Sequence, residues 1–213
     1  MNGTQDLGLS PLVRIVDDDE DVRKSVEFVL RIAGMQSVLY ADAESFLERD
    51  DFSRPGCAFI DIRMPGMNGM ELQKAMQSRG ITLPIAFLTG HGDIDMAVLA
   101  MKRGAADFIQ KPSDPERLQE TARKLIALDL KAVAKRSEVE EKRRIFETLT
   151  TREKEVAIAV SGGELNKVVA AELGVTEQTV KIHRANALRK LGCRSLVELS
   201  DFLRDIGETG RED

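Results

Sequence analysis

The chain has 213 residues, 42% of them hydrophobic, and a formal net charge of −5. This length supplies apolar material for two small domains, and no stretch approaches the roughly 18 consecutive apolar residues of a membrane-spanning helix. The polar opening MNGTQDLGLS lacks the charged-then-apolar layout of a signal peptide, so the expected location is the cytoplasm, with no membrane partner. Cys57 and Cys193 stand singly, without a Cys or His at metal-ligand spacing, and read as small buried or half-buried residues. Cut near Asp114, the chain carries 18 acidic and 12 basic residues before the cut and 18 acidic and 19 basic after it. The informative charge is local: Lys181, Arg184, Arg189, Lys190 and Arg194 cluster against the single acid Glu177.

In chain order, apolar runs of strand length occur at 12–17, 35–40, 57–61, 84–89 and 107–110. Helical patterns lie between them. Val22, Val26, Val29 and Leu30 recur at the spacing of one buried helix face, and Gly34 supplies the stop. Asn68 and Glu71 have the spacing of a capping box, so the glycine-rich loop after Asp61 should end by starting a helix. Five strands alternating with helices imply a parallel sheet covered on both faces.

Open parallel sheets bind ligands beyond the carboxyl ends of their strands. There the first run ends in Asp17 and Asp18, the third in Asp61, the fourth in Thr89, and the fifth leads to Lys111. Right-handed crossovers put all these ends on one edge, so residues far apart in sequence can meet. Crowded carboxylates raise one another's proton affinity unless a cation intervenes, and an all-oxygen site open to water suits Mg²⁺. A carboxylate so placed can take a phosphoryl group, with Lys111 and the Thr89 hydroxyl on the phosphate oxygens. His91 lies between glycines and reads as a solvated loop residue; Met64, Met67 and Met70 read as gap-fillers.

The ordered motifs VDDDE, DIRMPGMNG, LTGHGD and DFIQKP resemble the receiver domain of a two-component response regulator. The resemblance implies a flavodoxin-like, five-stranded α/β domain in which Asp61 accepts a phosphoryl group from a sensor histidine kinase. It also implies Mg²⁺ held by Asp18 and Asp61, by the backbone carbonyl of Arg63, and by Asp17 through water. Phe108 falls where the family has an aromatic that changes rotamer with Thr89, and the Lys111–Pro112 bond is expected to be cis. Ser113 stands where many relatives of this subgroup carry phenylalanine. A phosphatase of the haloacid-dehalogenase type normally has a second acid two residues after its nucleophile; Arg63 occupies that place.

From Pro115 onward Leu118, Ala122, Leu125, Ile126, Leu130 and Val133 form a helical stripe that fades into KRSEVEEKRR, which predicts a helix running into an exposed linker. Thr150 with Glu153 and Ser195 with Glu198 both have capping-box spacing. Between them, Ala170, Gly174 and Val180 have the spacing of a helix-turn-helix, with Thr176 as N-cap of its second helix. The stretch from LTTREKEV to ALRKLG resembles the all-α LuxR-type DNA-binding domain, and the whole chain resembles the NarL/FixJ group of transcriptional regulators. That resemblance puts Thr176, Thr179, Lys181, His183 and Arg184 at double-stranded DNA, with Asn166 and Lys167 flanking the scaffold helix. It also implies that phosphorylation switches dimerisation, release of the DNA-binding domain, or both, with a homodimer when phosphorylated and RNA polymerase as a partner. The expected organisation is a flexible N-terminus 1–11, a receiver 12–128, a helical linker 129–146, the DNA-binding domain 147–206 and a flexible tail 207–213.

Overall fold

The computed structural model describes residues 10–90 and 94–208. His91 and most of the two expected flexible ends lie outside the described residues. The chain divides into two compact units between Val133 and Ala134.

In the first unit, β1 (Leu12–Val16), β2 (Gln36–Tyr40), β3 (Gly56–Asp61), β4 (Ile85–Thr89) and β5 (Asp107–Gln110) form one parallel sheet in the order β2-β1-β3-β4-β5. Alternation of side chains sorts each strand's residues onto two faces. Ala58, Ile60, Ile85 and Phe87 join a core with Phe46 of α2 (Ala43–Arg49), Leu72 and Met76 of α3 (Gly69–Ser78), and Ala100 of α4 (Ile94–Lys102). Cys57, Phe59, Ala86 and Leu88 join the opposite core with Val26 and Leu30 of α1 (Glu20–Ile32) and Leu118 and Leu125 of α5 (Pro115–Glu147). Double coverage explains why β3 and β4 are buried at every position.

One buried residue breaks the apolar rule. Arg14 of β1 is fully buried, and its guanidinium is compensated by the Asp50 carboxylate, with Nε 3.1 Å from each oxygen. It also donates to the carbonyls of Leu12, Asp51 and Arg54. The Tyr40 hydroxyl donates to Asp50 at 2.7 Å, and burial, followed by that bond, pushes the phenol well above its ordinary range. Beside this knot a Cβ at Gly56 would stand 1.9 Å from the Leu12 carbonyl oxygen, so only glycine fits.

α5 is a single helix of 33 residues. Leu118, Ala122 and Leu125 are buried as the stripe predicts, and the KRSEVEEKRR stretch is almost wholly exposed. Its last turn supplies Phe146 to the core of the second unit, which is all-helical: α6 (Thr151–Ser161), α7 (Asn166–Leu173), α8 (Glu177–Leu191) and α9 (Leu196–Asp205). Thr150 and Glu153 form a complete capping box, and Lys190 of α8 donates to Glu153 at 2.7 Å. That hydrogen bond, then the Thr150 N–H, holds the Glu153 carboxyl down at about 2. The second expected box is only half formed. Ser195 accepts the Glu198 N–H, but the Glu198 side chain reaches the Arg194 N–H, one residue early, so the reciprocal bond is absent.

Removing one partner of a buried ion pair leaves the other charge uncompensated. Asp50→Ala should therefore lower stability by about 3–5 kcal/mol, whereas Tyr40→Phe, losing one hydrogen bond, should cost about 1 kcal/mol. Urea midpoints at unchanged slope measure both, and equal small losses would contradict the role given to Asp50.

Candidate functional site

The register of the sheet assembles the first site. Val16 pairs with Ile60, so the next residues, Asp17 and Asp61, emerge side by side from β1 and β3. Asp61 pairs with Leu88 and Thr89 with Gln110, which places Thr89 and then Lys111 on the same edge. Carboxylate oxygens of Asp17, Asp18 and Asp61 all lie within 4.8 Å of one another; Asp17 and Asp61 are buried and Asp18 is exposed.

A single ammonium ties this edge together. Lys111 Nζ lies 2.5 Å from Asp17 Oδ2 and 2.8 Å from Asp61 Oδ1. The Lys111 backbone N–H donates to the Thr89 carbonyl at 2.7 Å, and the following Lys111–Pro112 bond is cis. The remaining oxygens are also engaged: Asp61 Oδ2 accepts the Arg63 N–H at 2.8 Å, and Asp17 Oδ1 accepts the Asp19 N–H at 3.0 Å. Burial pushes the Asp17 carboxyl above its ordinary value, and the bonds from Lys111 and Asp19 offset this only in part. For Lys111, burial acts downward, but the hydrogen bonds to Asp17 and Asp61 outweigh it and raise the ammonium above its usual range.

Local structure fixes these positions. Asp19 caps α1 by accepting the N–H groups of Asp21 and Val22. Asn68 and Glu71 form a complete capping box on α3. A Cβ at Gly69 would stand 2.3 Å from the Asp61 carbonyl oxygen, so glycine lets α3 start against the end of β3. Thr89 is buried, and Phe108 of β5 is half-buried against the core that contains Phe87. Asp18, Arg63, Met64 and Met96 line a cavity of about 690 Å³, which gives the acidic edge an open side.

In the second unit, α7 ends at Gly174 in the left-handed conformation (φ 64°), and Thr176 caps α8 through the Thr179 N–H. Val180, Ala187 and Leu191 are buried in the core. Lys181 and Thr176 are exposed, as is Lys167 on α7; Thr179, His183 and Arg184 are half-buried. The Thr179 and Thr176 hydroxyls bond to each other at 2.9 Å, and Arg184 reaches Asn166 at 3.4 Å.

Two family models match: the response regulator receiver domain over residues 13–123, and the luxR family of bacterial regulatory proteins over residues 147–203. The chain belongs to the two-component response regulators with a LuxR-type DNA-binding domain. It is 36% identical to Nodulation protein W of Bradyrhizobium diazoefficiens over 96% of this chain and 90% of that one. It is 39% identical to the transcriptional regulatory protein FixJ of Rhizobium meliloti over 88% and 92%. The solved structure of the response regulator StyR matches with a TM-score of 0.79 and 38% identity, covering 92% of this chain and 98% of that one.

In this response regulator the acidic edge fits the expected cation: three carboxylates present only oxygen ligands, on an open side, which is the donor set Mg²⁺ takes. Gly69, Asp19 and Ile182 are not among the residues expected from the sequence. Asp19 has a sequence signal, an Asp directly before a helical pattern. Ile182 has one too, because it falls off the 180, 187, 191 face; it is 53% exposed beside Lys181. Gly69 has none, since the close approach is visible only in three dimensions.

An incoming dication is repelled by the Lys111 ammonium. Lys111→Met should therefore bind Mg²⁺ more tightly than the unmodified chain. MgCl₂, compared with NaCl at equal ionic strength, should raise the variant's thermal midpoint by more. An equal or smaller rise would show that Lys111 does not set the charge balance.

Proposed function

We propose that Asp61 is the residue that accepts the phosphoryl group, with Asp18, Asp61 and the Arg63 carbonyl as direct Mg²⁺ ligands and Asp17 acting through water. The supporting observation is the single ammonium of Lys111 shared between Asp17 and Asp61. An Asp61 oxygen attacks the phosphorus of a phosphohistidine, the P–N bond breaks, and the imidazole leaves with the electron pair. Lys111, already 2.8 Å from Asp61, then holds one phosphoryl oxygen, and the Thr89 hydroxyl at the same edge holds another. Bound Mg²⁺ would neutralise the charge that accumulates on the phosphoryl oxygens. The motion of Thr89 toward the phosphate gives Phe108 room to turn inward.

The signal then passes to a homodimer that binds double-stranded DNA and engages RNA polymerase. Val98, Leu99 and Met101 on α4 are exposed apolar residues that suit a dimer contact. Two helix-turn-helix units on adjacent half-sites gain affinity through effective concentration. Lys181 and Ile182 face solvent from α8; Thr176, Thr179, His183 and Arg184 border them, and Asn166 and Lys167 flank them from α7. The domain limits we assign are a receiver at 12–128, a helical linker at 129–146 and a DNA-binding domain at 147–206. Access to DNA places the protein in the cytoplasm, where the kinase's catalytic part must also lie. Among the described residues no helix is long and apolar enough to cross a membrane.

Two experiments test this reading. Acetyl phosphate with Mg²⁺ should add one acid-labile phosphoryl group to the chain, and Asp61→Ala should abolish it; undiminished labelling of the variant would move the acceptor elsewhere. On the DNA side, Lys181→Ala should weaken specific and non-specific binding alike and lower the salt slope by about 1 if Lys181 meets a phosphate. Ile182→Ala should leave that slope unchanged and relax the preference at one base pair. Unchanged affinity in both variants would remove α8 as the reading helix.

A further inference from the structure

Arg23 of α1 carries a positive charge where two features disfavour one. It is in the first turn of the helix, and the partial positive charge of a helix N-terminus repels cations. The helix also starts directly after the loop that holds Asp17 and Asp18, two of the three carboxylates of the acidic edge, where a dication fits. Lys24, the next residue, meets the first difficulty with an ion pair to Glu20 at 2.6 Å. Arg23 does something different: from a half-buried position its Nη1 donates to the backbone carbonyl of Asp17.

That bond completes the hold on Asp17. Its N–H donates to the Tyr40 carbonyl at 3.2 Å, its Oδ1 accepts the Asp19 N–H at 3.0 Å, and its Oδ2 accepts from Lys111 at 2.5 Å. The carbonyl is the remaining polar group, and Arg23 engages it. A trans peptide is planar, so fixing the Asp17 carbonyl oxygen also fixes the nitrogen and Cα of Asp18.

Asp18 gains from such support. It is exposed, yet its carboxylate stands within 4.8 Å of those of Asp17 and Asp61. An exposed carboxylate free to turn loses conformational freedom when it binds a cation, and one whose backbone is already held loses less. The charge of Arg23 and its grip on the backbone therefore act in opposite directions. As a charge it repels an incoming dication; as the holder of the 17–18 peptide it favours one.

We propose that Arg23 is a positioning residue for the cation site: by holding the Asp17 carbonyl it keeps the Asp18 carboxylate placed beside those of Asp17 and Asp61. The proposal rests on the reading of Asp18 as a direct Mg²⁺ ligand. It does not depend on which residue accepts the phosphoryl group.

Titration of the full chain with MgCl₂ at constant ionic strength tests it, followed by the NMR signal of the Arg63 N–H, which is bonded to Asp61. Arg23→Met should weaken Mg²⁺ binding about ten-fold. Tighter binding, the sign expected if Arg23 acts only through its charge, would overturn the proposal, and so would unchanged affinity. A double-mutant cycle checks the route. In an Asp18→Asn background, adding Arg23→Met should weaken binding by less than about two-fold more. A second full loss of about ten-fold there would show that Arg23 does not act through Asp18. Without Mg²⁺, the amide spectrum of Arg23→Met should match that of the unmodified chain away from the 17–23 segment and its neighbours. Changes throughout the receiver would make Arg23 a folding residue and overturn the proposal as well. The unmodified chain tests the underlying reading separately: if MgCl₂ leaves its Arg63 signal unmoved, the Mg²⁺ reading of the acidic edge falls, and the role of Arg23 with it.

Discussion

Two carboxylates buried side by side cannot stay charged without a cation between them, and the receiver unit is built around meeting that requirement. Lys111 supplies the cation from a residue 94 positions after Asp17 and 50 after Asp61. The meeting needs β1, β3 and β5 to end on one edge, as parallel pairing ensures, and the observed order sets β1 beside β3. The double-sided core holds the strand ends in place, and the Gly69 start of α3 closes over Asp61. On the proposed reading, the ammonium that balances the carboxylates is also the group that would bind an incoming phosphoryl oxygen.

Much of this was legible in the sequence because it is periodic or local. Strand-length apolar runs ending in Asp17, Asp61 and Thr89 gave the edge, and the crossover rule gave its convergence. Cap signals at Asn68, Thr150 and Thr176 rest on bonds spanning three residues, and all three are formed. Ser195 shows the limit of such signals: the spacing was right, yet Glu198 found the Arg194 N–H instead. The LuxR-type turn was legible for the same reason, since Gly174 must take a left-handed conformation next to the N-cap.

What stayed hidden depends on contacts between distant residues. Arg14 sits inside an apolar run, and nothing near it in sequence announces Asp50 and Tyr40 as its partners. Asp129 reads as one more charge on a charged helix until Gly56, 73 residues earlier, is seen to donate to it. Gln73 likewise reads as a surface glutamine, although it is buried and, among the described residues, its amide oxygen has no hydrogen-bond partner. The helix α5 was legible as a helix, but its fading apolar stripe did not show that Phe146 belongs to the second core.

The central claim is that one ammonium, on Lys111, holds both Asp17 and Asp61. Nitrogen-15 NMR of lysine side chains tests it most directly, because an ammonium held by two buried carboxylates exchanges its protons slowly enough to be seen. The account predicts a protected Lys111 ammonium signal in the full chain without Mg²⁺, shifted or lost by Asp17→Asn and by Asp61→Asn, each alone. A Lys111 signal that is absent, or that responds to only one of the two substitutions, would contradict it.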